Sequence, residues 1–319
     1  MRRGLDLVRK IPPMTAATTA VDMLLSALRS STPMSFAICS EIMAERAGVV
    51  NIGIEGQMLA GAAAGFGVTV VSGNPWIGLL FGAIAGAALS SVHGILFLVC
   101  RANQTISGIA VMAIGAGCSS YFGSPYVGRR IAGFAPLALP GLPAGTAAFL
   151  RSVSPTMVLG IVTPLVMGVA LYMTRFGLRW RSVGESPSAA RVLGINPAFY
   201  RWAAILVCGL LVGTGGAALS VDYAKGWSDG MTSGRGLVAL GLVALTRWNP
   251  FLTTPVAMIF GAAESLSLSV QSHGIGVSPY LLSLFPYLTP LVVLALHARF
   301  SRRRSQMPAS LAEVLGFGG

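Results

Sequence analysis

Charge is the scarcest property of this chain. Only 10% of its 319 residues are Asp, Glu, Lys or Arg, against about 25% in an ordinary soluble domain. With 54% hydrophobic residues beside them, so few charges cannot clothe a water-facing surface, and the bulk of the chain is expected in lipid. The scarcity is concentrated. No charged residue lies between Glu55 and Arg101, Arg151 and Arg175, Arg201 and Asp222, or Glu264 and Arg299, and each gap has room for one or two spans of about 20 residues. The alternation of polar and apolar residues that builds a membrane barrel is also missing. That leaves an all-α integral membrane protein, a polytopic bundle of about eight to ten spans.

Other absences exclude chemistry. There is no GxxxxGK[ST] loop for ATP, no HExxH and no GxSxG elbow, so neither ATP hydrolysis nor a familiar hydrolase reaction has its motif here. No cofactor is expected in this chain. The four cysteines (Cys39, Cys100, Cys118, Cys208) and three histidines (His93, His273, His297) stand singly without metal-ligand spacing, and they read as packing or interfacial residues. The net charge of +12 raises the thought of nucleic acid. Yet the basic residues flank apolar runs and are not interleaved with aromatics on a polar face, so no nucleic-acid partner is expected. Positive-inside topology accounts for them. The basic N-terminus MRRGLDLVRK is followed by Pro12-Pro13 and threonines, not by the apolar core of a cleaved signal.

What is present is glycine and long apolar stretches. Forty glycines suit helices that approach closely in lipid. The predicted segments are 21–44, 54–72, 75–100, 103–123, 156–174, 202–220, 236–247, 251–270 and 280–298. They divide the chain into a basic N-terminal segment (1–20), a transmembrane domain (21–298) and a basic tail (299–319). Segment 236–247 is too short to cross hydrocarbon alone, and Gly234, Gly236 and Gly241 interrupt it. It is expected to be a broken helix lining a protected cavity.

Two arginine-rich regions anchor the topology in the cytoplasm: 175–201, with Arg175, Arg179, Arg181, Arg191 and Arg201, and the C-terminus with Arg299 and Arg302 to Arg304. Alternation then puts Arg101 and 45–53 inside and 124–155 outside. It also puts the basic N-terminus outside, against the rule, so either segment 21–44 is re-entrant or another segment fails to cross. Asn74-Pro75 and Asn249-Pro250 are each followed twelve residues later by Gly-Ala-Ala. A weak inverted repeat would place these two turns on opposite faces.

The stretch ERAGVVNIGIEGQM at 45–58 carries Glu45, Arg46, Asn51, Glu55 and Gln57 at the mouth of a membrane segment. Polar groups at that depth must pair or face water. Either they form a pathway or hinge, or Glu45 and Arg46 are interfacial anchors and Glu55 caps a helix. Asn103 and Gln104 either bond a hydroxylated solute or, for Asn103, cap a helix. Arg235 is a rim anchor or a pathway residue. Glu264, breaking an apolar run, faces the interior or water.

This stretch, with NPWIG at 74–78, RANQTISGIAV at 101–111, RFGLRWRSVGESPSAARVLGIN at 175–196 and GRGLVALGLVALTRWNP at 234–250, resembles the nucleoside and simple-sugar permeases of ATP-binding-cassette importers. These are a branch of the ribose and branched-chain amino-acid permease superfamily, and the resemblance runs from about 30 to 298. It implies a multi-pass protein of the bacterial inner membrane. It implies four partners: a second permease subunit, identical or homologous, a cytoplasmic ATPase that binds ATP and Mg, a periplasmic or lipid-anchored solute-binding protein, and membrane lipid. It further implies that Gly184, Glu185, Ala189, Ala190 and Gly194 contribute to a coupling helix held by the ATPase. An ion-coupled secondary transporter is the competing reading, opposed by that loop and by the absence of a cluster of membrane carboxylates.

Overall fold

A computed structural model describes residues 16–136, 149–272, 278–300 and 307–314. The helices are α1 (Ala16–Glu45), α2 (Ile54–Ser72), α3 (Pro75–Gly94), α4 (Gln104–Gly123), α5 (Pro155–Met173), α6 (Arg175–Glu185), α7 (Pro187–Val192), α8 (Pro197–Ala218), α9 (Arg235–Thr246), α10 (Thr253–Ser272), α11 (Pro279–Phe300) and α12 (Ala309–Val314). Short π-helical turns continue α3 over Ile95–Val99 and α8 over Leu219–Tyr223. Six of these helical stretches are long and apolar enough to cross a bilayer. All nine predicted segments are helical, with ends shifted by a few residues because caps, and not hydropathy, set them. Asn74, Asn103, Ser154, Ser186 and Asn196 each accept a backbone N–H at the start of the helix they precede.

Glycine lets the central helices touch backbone to backbone. A Cβ at Gly86 would overlap the Gly209 carbonyl of α8, and one at Gly216 would overlap the Met58 carbonyl of α2. Each pair therefore sits closer than any larger residue allows, which is how helices associate when lipid offers no hydrophobic gradient.

The element order occurs twice. A long helix (α1 or α8) is followed by a connection, a further helix (α2 or α9), an Asn-Pro turn and another helix (α3 or α10). Asn74 and Asn249 make the same cap, accepting from Trp76 N and Phe251 N. The two turns lie at opposite ends of the bundle: Gly73 and Pro75 share a cavity with Arg129–Gly133, whereas Trp248 reaches Arg46 and Tyr172. The Gly-Ala-Ala runs pack crosswise, Gly86 on α8 and Gly261 on α1 at Ala27 and Ser31. Each half thus lends its third helix to the other half's first.

Segment 21–44 is not re-entrant. It is part of one continuous helix: midway along it Arg29 bonds to the Ser152 carbonyl, and at its finish Glu45 meets Trp248. A 30-residue helix is about 45 Å long. The part that turns back is the connection 46–53. Gly241 interrupts nothing: α9 is continuous, and its break lies at Gly234, a residue with φ of +82° that glycine adopts freely. The tail also differs from a plain charged extension, because residues 309–314 form α12 against α6. There Ser310 donates to the Gly184 carbonyl and Leu311 is buried.

Candidate functional site: a short helix held at both ends

Helix α9 has twelve residues, about 18 Å, against a hydrocarbon core of about 30 Å. Its ends therefore lie where unsatisfied backbone groups are costly. The C-terminal end is met by Arg46 in the connection between α1 and α2, and the N-terminal end by Glu55 in the first turn of α2. At the N-terminus, Glu55 accepts from Gly234 N (2.8 Å), Gly236 N (2.7 Å) and the Thr232 hydroxyl. At the C-terminus, Arg46 donates from Nε to the Trp248 carbonyl (2.9 Å) and from Nη2 to the Arg247 carbonyl (3.4 Å). An anion at the positive end and a cation at the negative end complement the helix dipole. Glu55 therefore does cap a helix, but the helix is α9; its own α2 begins at Gly53 without a side-chain cap.

The C-terminal clamp holds an unusual backbone. Arg247 and Trp248 both have positive φ, 54° and 56°, a region that costs non-glycine residues about 1–2 kcal/mol each. Arg46 on the Trp248 carbonyl and Glu45 on the Trp248 indole N–H fix that turn. Arg46 also donates to the Tyr172 hydroxyl (2.9 Å) and stands 4.0 Å from Glu185 of α6. Burial pulls its guanidinium down from its ordinary value, and Tyr172 and Glu185 push it back up; it remains charged. One side chain thus joins α1, α5, α6 and the end of α9.

The connection itself is pinned by buried polar groups. Val50 N donates to Gln104 Oε1 (2.8 Å), Asn51 N to Glu41 Oε1 (3.0 Å), and the Asn51 and Gln57 amides bond each other. Asn103 is spent on the cap of α4. Glu41 was missed in the sequence, although an acid inside predicted span 21–44 was itself the signal. With Glu45 one turn away, it corrects the expectation that membrane carboxylates do not cluster. Both are committed, Glu41 to Asn51 and Glu45 to Trp248.

At the same end, α6 and α7 pack on the bundle through Trp180, Val183 and Ala190. Gly184 is packed against the Arg46 carbonyl and Ala190 is buried among Trp180 and Tyr200, so neither offers a docking surface. Glu185 is half exposed and accepts from Ala309 N. The outward face is Ser188, Ala189, Arg191, Val192 and Leu193, followed by Gly194 in a left-handed turn. Val192 and Leu193 are 87% and 76% exposed. Toward the opposite end, Arg235 is buried and paired with Glu264, so it is no rim anchor. His93 packs inside on the Ser107 hydroxyl. Cys39 and Cys208 are buried, whereas Cys100 is exposed and is not a packing residue. His273 and the side chain of His297 lie outside the described residues.

A multi-pass helical bundle built from two crosswise halves, with a short helix bracketed in its interior, is the architecture of a polytopic membrane protein. The chain belongs to the family described as branched-chain amino acid transport system / permease component, whose model matches residues 23–295. It is 34% identical over 301 residues to a putative glucose ABC transporter permease protein of Haloferax volcanii, covering 86% of this chain and 91% of that one. It is 34% identical over 298 residues to a nucleoside ABC transporter permease protein of Lactococcus lactis subsp. cremoris, covering 89% and 94%. It is 33% identical over 250 residues to a guanosine ABC transporter permease protein of Bacillus subtilis, covering 74% and 78%. No solved structure matches the chain. This protein is accordingly an ABC transporter permease, a transport component of the membrane.

Proposed function

We propose that this chain imports a nucleoside or simple sugar across a bacterial inner membrane, driven by a separate cytoplasmic ATPase that binds ATP and Mg. Two such permeases, identical or homologous, would enclose the path, and a periplasmic or lipid-anchored binding protein would deliver solute. The end bearing α6, α7 and α12 faces the cytoplasm, in keeping with Arg175, Arg179, Arg181, Arg191 and Arg201 around it.

The observation that carries the reading is the outward face of α7. Val192 and Leu193 protrude beside Arg191 on a helix whose inner face is fixed by Ala190. Movement of α7 passes along α6 to Glu185, from Glu185 to Arg46, and so to α9, whose far end Glu55 holds. Replacing Val192 and Leu193 together with glutamate should release the ATPase and abolish uptake while membrane insertion persists, because neither side chain touches the core. Undiminished ATPase co-purification and uptake would refute docking at α7. Uptake in vesicles driven by an ion gradient without ATPase would instead establish the secondary transporter.

A further inference from the structure

Arg235, Glu264 and Tyr223 form a polar cluster away from the coupling end. Arg235 Nη2 pairs with Glu264 Oε1, and the Tyr223 hydroxyl donates to the same oxygen at 3.2 Å. Arg235 Nη1 is spent on the Met231 and Thr232 carbonyls. Two atoms remain buried without partners: Arg235 Nε, a donor, and Glu264 Oε2, an acceptor. Three cavities meet at this cluster. One of about 480 Å³ is walled by Arg129, Arg130 and 226–231 and reaches Tyr223 and Arg235. A second, of about 420 Å³, lies between α9, α10 and α11 and is lined by both Arg235 and Glu264. A third, of about 590 Å³, opens beside Tyr223 and Arg29. Each falls in the size range of small-molecule sites.

We propose that the Arg235–Glu264 pair is a solute-binding subsite of the permease, receiving a neutral ring that presents a hydrogen-bond acceptor next to a donor; this deepens the proposed import function and rests on it. The acceptor takes the Arg235 Nε–H and the donor gives to Glu264 Oε2, completing two atoms whose desolvation is otherwise uncompensated. The ligand is neutral because the pair already cancels its own charge, and an ionic solute would bring an unpaired charge into the bundle. A vicinal diol of a sugar and the amide edge of a nucleobase share this chemistry. Phe260 and Tyr287, edge to face with centroids 5.8 Å apart, line the same cavity and supply an apolar wall for either ring.

The test uses the full chain assembled with its partners in membrane vesicles, with Cys100 and Cys118 replaced by serine and Ser283→Cys added. Ser283 is exposed and lines the 420 Å³ cavity. Labelling of the introduced thiol by a small maleimide should be slowed by inosine and by either hypoxanthine or ribose, and the two arms separate the base edge from the diol. Glu264→Gln puts an amide N–H₂ where the solute donor binds, so KM should rise about tenfold, as loss of one bond to a charged group implies. Glu264→Asp, which keeps the carboxylate and the pair with Arg235, should recover part of the affinity, a pattern that a purely structural residue would not give. ATP-driven uptake without protection of the introduced thiol, or with an unchanged KM in Glu264→Gln, overturns the subsite and leaves the import reading standing. Absence of both uptake and protection for every one of these solutes overturns both. If Glu264→Gln fails to assemble, protection in the chain with native Glu264 still decides.

Discussion

Glu55→Gln changes a single atom and tests whether the anion at the start of α9 is what holds that helix in the bundle. The carboxylate accepts three hydrogen bonds, from the Gly234 and Gly236 amides and the Thr232 hydroxyl, using both oxygens. Glutamine offers one acceptor oxygen and turns an N–H₂ toward the remaining donors. At least one charge-assisted bond is lost, about 1.5–3 kcal/mol, and the interaction with the helix dipole adds about 0.3–1 kcal/mol. The expected loss is about 3 kcal/mol of local stability, equivalent to about a hundredfold in an opening equilibrium. Hydrogen exchange reads this directly. The Gly234 and Gly236 amides should exchange about a hundredfold faster in the variant, while amides in the middle of α2 and α8 keep their protection. Uptake should fall because α9 no longer follows the start of α2. If both amides exchanged at wild-type rates, the bracket would be wrong, whatever happened to transport.

Three further outcomes follow from the packing. Ala190→Asp should destabilise the chain by placing an unpaired charge against Trp180 and Tyr200, lowering its Tm in detergent, whereas Ala189→Asp, on the exposed face, should leave Tm unchanged; equal Tm values would contradict the assigned inner and outer faces. Gly216→Leu should prevent folding, since even a Cβ there overlaps the Met58 carbonyl, and a monodisperse species by size-exclusion chromatography would refute the close approach of α2 and α8. Ser188→Cys should react with an impermeant thiol reagent only in inside-out vesicles, and labelling of intact cells would invert the topology.

Much of the site was legible as composition and little of it as contact. The 45–58 stretch stood out because five polar residues among glycines are expensive at membrane depth, whatever they touch. What they touch could not be read. Glu55 and Gly236 are 181 positions apart in the chain, and both a pathway residue and a helix cap satisfy the same local cost. Arg235 looked like a rim anchor because it begins an apolar run; its burial follows from Glu264 on another helix. Ala189 and Ala190 are alike as residues, and only the packing of Trp180 and Tyr200 turned one inward.

The order of residues alone establishes that the chain is a multi-pass helical membrane protein, where its nine apolar segments lie and that one is short. Those properties rest on hydropathy and on local caps such as Asn74 and Asn249, which act over a few residues. It took the packed bundle to settle that the chain turns back at 46–53 after one continuous α1, that Arg46 and Glu55 grip opposite ends of α9, and that Arg235 meets Glu264. Each of these joins groups distant in the chain. In a dry interior, a charge or a backbone end is satisfied by whichever partner the packed helices bring within about 3 Å, and that choice belongs to the fold as a whole.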